Sequence, residues 1–148
     1  MYVEAMIYWT ILTEKTSDEV APIIRRINER VSQFQDEYPD REDTLVLPWS
    51  EPPEIYVQQA RSNPELTPEV GRRLDRCKSV LIFEGPANPQ EYPDQVSVLK
   101  LYLEALGGSV MDWGGINYGW PLIQTSEDAL RSLRELPDEP RLSLEEPE

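Results

Sequence analysis

The chain has 148 residues, enough for one domain with a real core, since a domain of that size buries roughly 70% of the surface its unfolded chain exposes. Asp and Glu number 28 against 14 Lys and Arg, and the formal net charge of -14 excludes a protein that grips phosphate backbones with clustered bases. One cysteine and no histidine exclude an intramolecular disulfide and a multi-thiolate zinc site, and remove both the usual general base near neutral pH and the commonest transition-metal ligand.

In chain order, residues 3–12 read as a strand. Val3, Ala5, Ile7, Trp9 and Ile11 alternate onto one face, and the other face is also largely apolar, so the strand is expected to lie centrally with cover on both sides. Thr16 and Glu19 then have capping-box spacing, and Val20, Ile23, Ile24, Ile27, Val31 and Phe34 follow at helical intervals. Pro22 is tolerable only in a first turn, which would move the cap to Ser17 or Asp18. This helix should end near Asp36–Tyr38, before Pro39.

Residues 44–47 read as a short strand stopped by Pro48. The Pro-rich stretch 49–68 is read as non-strand, with a short helix over 54–62 that turns Ile55, Tyr56 and Ala60 inward. Thr67-Pro68-Glu69 is a helix start, with Val70, Leu74 and Cys77 on one face. Ser79–Glu84 is a continuous apolar strand, buried on both sides. A loop follows, and then a helix opened by Asp94 whose core stripe is Val96, Leu99, Tyr102, Leu103 and Leu106, with Gly107 as its left-handed terminator. Ser109–Trp113 is a strand, Gly114-Gly115 a two-residue turn, and Ile116–Trp120 the returning strand. Ser126 opens a last helix carrying Ala129, Leu130, Leu133 and Leu136. Residues 137–148 form an acidic, Pro-containing tail expected to be disordered.

Residues 1–136 are thus expected to form one α+β domain. The order is β-α-β, a helical excursion, β-α-β, a hairpin return and a helix. Without the excursion it is a split βαβ plan, a ferredoxin-like sandwich. A doubly wound α/β sheet is the alternative.

Three constellations are candidate sites. In a two-residue hairpin, Trp113 would face Ile116 and Met111 would face Tyr118, which gathers Met111, Trp113, Ile116, Tyr118 and Trp120 on one side, with Asp112 and Asn117 on the other. Trp and Tyr dominate interaction hot spots, so this hairpin is a candidate partner surface; core closure beneath the last helix is the competing role. Glu84 and Asp112 end two strands that the plan makes parallel, about 9–10 Å apart with one strand between them, where two carboxylates could hold a divalent cation or act as acid and base. Arg72, Arg73, Arg76 and Lys78 form the densest positive cluster and could dock a phosphate, a carboxylate or the acidic tail. Cys77, in the apolar stripe and without a histidine partner, reads as an inert thiol.

No P-loop, dinucleotide fingerprint, nucleophile elbow or zinc-protease motif occurs, so no cofactor is expected. No apolar run approaches the ~18 residues of a membrane span, and no basic leader opens the chain, which gives the expectation of a soluble cytoplasmic protein. The leading functional reading is a non-enzymatic acidic module that binds a basic protein, not nucleic acid or membrane, as an inhibitor or immunity-type protein does. That parallel is one of size and charge, not of residues. A small metal-dependent enzyme using Glu84 and Asp112, and a structural homodimer paired through an open sheet edge, are the other readings.

Overall fold

The computed structural model describes residues 6–37, 49–86, 93–114 and 121–134. Their elements are β1 (Met6–Thr13), α1 (Ser17–Glu37), β2 (Trp49–Glu51), α2 (Glu54–Arg61), α3 (Pro68–Asp75), β3 (Ser79–Pro86), α4 (Pro93–Ala105), β4 (Val110–Asp112), β5 (Ile123–Thr125) and α5 (Ser126–Arg134). The fold is mixed α+β. The strands make one sheet in the order β2-β3-β1-β4-β5, and every pairing among the described residues is antiparallel. That overturns the doubly wound alternative, which needs parallel neighbours.

β1 is central, as its two apolar faces predict. It pairs with β3 from Met6 opposite Pro86 to Thr13 opposite Ser79, and with β4 through Thr10, Ile11 and Leu12. Register then separates two faces. Trp9, Ile11, Leu81, Phe83, Met111 and Trp113 pack with buried side chains of α1, α4 and α5. Leu12, Val80, Ile82, Val110 and Ile123 pack on the other side with Ala60 of α2 and with Val70 and Leu74 of α3. The helical excursion therefore has a structural purpose: it covers the second face of the sheet.

Local chemistry sets the helix ends. Thr16 Oγ1 accepts from the Glu19 N–H at 3.3 Å while the Glu19 carboxylate accepts from the Thr16 N–H at 3.0 Å, so the capping box at Thr16 is real. Pro22 consequently sits at the sixth position of α1, not in its first turn. It withholds an N–H from the Asp18 carbonyl, and both residues are exposed, where solvent can satisfy that group. Thr67 caps α3, its hydroxyl accepting from the Val70 N–H at 3.2 Å, with Pro68 at the first helical position.

Several expectations need correction. Trp49–Glu51 is a strand, pairing Trp49 with Ile82 and Glu51 with Val80; the prolines at 52 and 53 stop it rather than preclude it. Ile55 points outward and is 65% exposed, whereas Ala60 is buried and Tyr56 half-buried. Cys77 lies beyond the end of α3 rather than within it; its thiol donates to the Ser79 carbonyl at 3.4 Å, and burial pushes its pKa up, as suits an inert thiol. Gly108, with φ +85°, supplies the left-handed residue after α4 in place of Gly107. The expected strand over 44–47 and the tail over 137–148 lie outside the described residues.

Candidate functional site

The β4–β5 connection differs most from the sequence reading. Met111 pairs with Gln124 and Asp112 with Ile123, and the Trp113 N–H donates to the Leu122 carbonyl at 2.9 Å. Gly114-Gly115 is therefore not a two-residue hairpin turn; the returning strand is Ile123–Thr125. Ile116, Asn117, Tyr118 and Trp120 lie outside the described residues.

Trp113 itself belongs to the core. It is 2% exposed, stands edge-on to Trp9 with centroids 6.0 Å apart, and donates its indole N–H to Gln124 Oε1 at 2.8 Å. A ring so enclosed has no face left for a partner, which corrects its place in the proposed surface. Gly114 explains part of this enclosure. Its φ is +74°, and a Cβ there would stand 2.5 Å from the Tyr8 carbonyl oxygen. Only glycine lets the chain lie against β1 at this point.

Asp112 stands across β1 from Thr10, and Glu84 from Tyr8. The two acidic positions are thus two residues out of step, which with two strand spacings separates their backbones by about 12 Å rather than 9–10 Å. Asp112 Oδ1 accepts from the Gly114 N–H at 2.9 Å; burial raises its pKa, with that hydrogen bond opposing. Among the described residues no three Asp, Glu, Cys or His side chains gather into a metal-binding group.

The basic cluster divides into two pairs. Arg72 and Arg73 are held by the protein's own acids: Arg72 Nη2 meets Glu69 Oε2 at 2.6 Å, and Arg73 Nε meets Glu69 Oε1 at 3.0 Å. Arg73 Nη1 also donates to Glu127 Oε2 at 2.6 Å and to the Ser109 carbonyl at 2.9 Å. Arg73 thus ties α3 to the start of α5 and the approach to β4, so it is a structural clamp and not a docking residue. Burial disfavours the Glu127 anion, but Arg73 and the Gly108 N–H outweigh it and hold the carboxyl below its ordinary range. Arg76 and Lys78 stand apart, exposed, on a different cleft with Glu14, Lys15 and Glu19.

A surface that sequence reasoning missed lies at the far end of the second sheet face. Along β1 the exposure on that face rises from Leu12 at 2% and Thr10 at 6% to Tyr8 at 55%. α2 and α3 are 8 residues each, about 12 Å, whereas the 8 residues of β1 span about 27 Å. Two helices of that length do not reach along the whole of β1, and Tyr8 stays more than half exposed. Tyr8 and Ile55 are the exposed large hydrophobics among the described residues. Tyr56, next to Ile55 in α2 and near Tyr8, donates its hydroxyl to Glu51 Oε2 at 2.9 Å. Burial first, then Glu51 and the neighbouring Tyr8, raise the pKa of that hydroxyl, so it stays a neutral donor. The signal was present in the helix and strand lengths, not in any motif.

The chain matches no known protein-family model, and comparisons with curated proteins and with solved structures yield no match. No helix among the described residues is long and apolar enough to cross a membrane.

Proposed function

We propose that the chain is a non-enzymatic protein-binding module on a ferredoxin-like split βαβ frame, and that it meets a basic protein through the open end of its second sheet face. The order β2-β3-β1-β4, with antiparallel neighbours, supports that frame. α1 follows β1, α4 links β3 to β4, α2 and α3 are inserted between β2 and β3, and β5 with α5 is appended.

The observation that carries the binding reading is exposed apolar area with an acidic surround. Tyr8, Ile55 and Tyr56 supply the area, and the exposed Glu51 and Glu54 with half-buried Asp112 supply the charge. Residues 49–60 contain two acids and no base. An aromatic centre with a charged rim is the usual anatomy of a binding patch. The net charge of -14 accelerates encounter with a basic partner and repels nucleic acid.

The test compares capture from the native host by the wild type and by a Tyr8→Lys/Ile55→Lys variant. The expected result is a basic protein bound in stoichiometric amount, released by high salt and absent from the variant. Equal capture by both proteins contradicts the reading. A second copy of the chain as the bound species favours the edge-paired homodimer instead.

A further inference from the structure

The opposite end of the sheet carries a second and chemically different feature. Glu14, Lys15, Glu19, Arg76 and Lys78 line a cleft of roughly 380 Å³ between the β1–α1 connection and the α3–β3 connection. Lys78 is fixed there through its backbone, its N–H donating to the Thr13 carbonyl at 2.8 Å. Thr13 lies five residues along β1 from Tyr8, about 17 Å, so the two regions are separate.

Several cations among the described residues are held by acids. Arg61, Arg72, Arg73, Arg131 and Arg134 each close an ion pair. Lys15, Arg76 and Lys78 close none with the described residues, although the carboxylates of Glu14 and Glu19 share their cleft. Glu19 gives one oxygen to the helix cap: Oε1 takes both the N–H and the hydroxyl of Thr16, which leaves Oε2 for a ligand, and Lys15 and Lys78 act on the carboxylate only as secondary, longer-range charges. Three cations from two chain segments thus line one cleft without closing an ion pair among the described residues.

We infer that this cleft binds a small phosphorylated polyol, the phosphate between Lys15, Arg76 and Lys78 and the hydroxyls on Glu14 and Glu19. Each part of the lining has a matching part of that ligand. A guanidinium and two ammonium groups suit a phosphate dianion, which carries close to two charges at neutral pH. Carboxylates accept hydrogen bonds from hydroxyls and reject a bare polyanion. Every lining residue is charged, which favours a polar, charged ligand over an apolar one. The volume lies at the lower end of small-molecule sites, which suits a phosphorylated sugar. Repulsion from the overall negative charge is screened beyond about 8 Å at physiological salt, whereas the direct contacts are not.

Calorimetric titration with ribose 5-phosphate, ribose and inorganic phosphate at constant ionic strength tests this. Saturable binding of the ester is expected, with no binding of ribose and at least about tenfold weaker binding of inorganic phosphate. An Arg76→Gln/Lys78→Gln variant should lose the ester response. Both side chains are exposed and without ion pairs among the described residues, so the variant should melt within a few degrees of the wild type. No heat with the ester, an undiminished response in a folded double variant, or inorganic phosphate binding as tightly as the ester would each overturn the inference. Should the double variant not fold, Lys15→Gln replaces it, and unchanged affinity there overturns the inference equally.

Discussion

The two faces of the sheet share the same strands but are finished differently. One lies under α1, of 21 residues, α4, of 13, and α5, and its β1 side chains Trp9, Ile11 and Thr13 are buried. The other lies under two helices of 8 residues, and its cover ends at Thr10. A strand alternates its side chains strictly, so adjacent residues report on opposite faces. Trp9 is 2% exposed and Tyr8 is 55% exposed. Helix length, rather than strand composition, decides where this protein keeps a core and where it keeps a surface.

The largest expected effect separates the faces by stability. Trp113→Ala removes a buried ring and its hydrogen bond to Gln124 and should cost about 3–5 kcal/mol. Tyr8→Ala should change stability by less than about 1 kcal/mol. Urea unfolding of the two variants measures both values; equal losses would break the comparison.

A smaller effect sharpens the description of the covered face. The Tyr102 hydroxyl is buried beside Phe83, with ring centroids 5.1 Å apart, and has no hydrogen-bond partner among the described residues. Burial alone raises its pKa, and no charged group opposes it. Tyr102→Phe removes the unsatisfied hydroxyl and should raise stability by about 1 kcal/mol in the same unfolding experiment. A loss of comparable size would mean that the hydroxyl has a partner.

The smallest effect concerns pH at the boundary of the open face. Burial raises the folded-state pKa of Asp112 above its ordinary value of 3.8. The contribution of this group to stability is therefore fully present below that value and is lost as pH rises through the folded pKa, because the unfolded chain ionises first. Asp112→Asn keeps an oxygen for the Gly114 N–H and removes the titration. Its stability relative to wild type should rise across that acidic window and stay higher, by less than about 1 kcal/mol, at neutral pH. A relative fall over the same window would show that the carboxylate is stabilised instead.

Much of the fold was legible because local chemistry specified it. The capping box at Thr16 and Glu19, the Thr67-Pro68 start, and the apolar stripe from Val96 to Leu106 each act within one or two turns of chain. The errors lie where distant backbone decides. Trp49–Glu51 joins the sheet because β3 offers an edge, which a Pro-rich composition does not reveal. Gly114 is required by the Tyr8 carbonyl of another strand, so its neighbour Gly115 suggested a tight turn that the β4–β5 pairing rejects. Arg73 was grouped with Arg76 by sequence proximity, yet Glu127 and Ser109 take it from across the fold. Tyr8 as a surface residue follows from helix and strand lengths once α2 and α3 are assigned to its face, an assignment that pattern alone does not make.

Hydroxyl-radical footprinting with residue-level readout tests the central claim, because Tyr8 and Trp9 are adjacent in sequence and point to opposite faces. Rapid oxidation of Tyr8 and protection of both Trp9 and Trp113 are expected in the native protein. Protection of Tyr8 equal to that of Trp9 would contradict it, since the second face would then be covered to its end and would offer no surface for a partner.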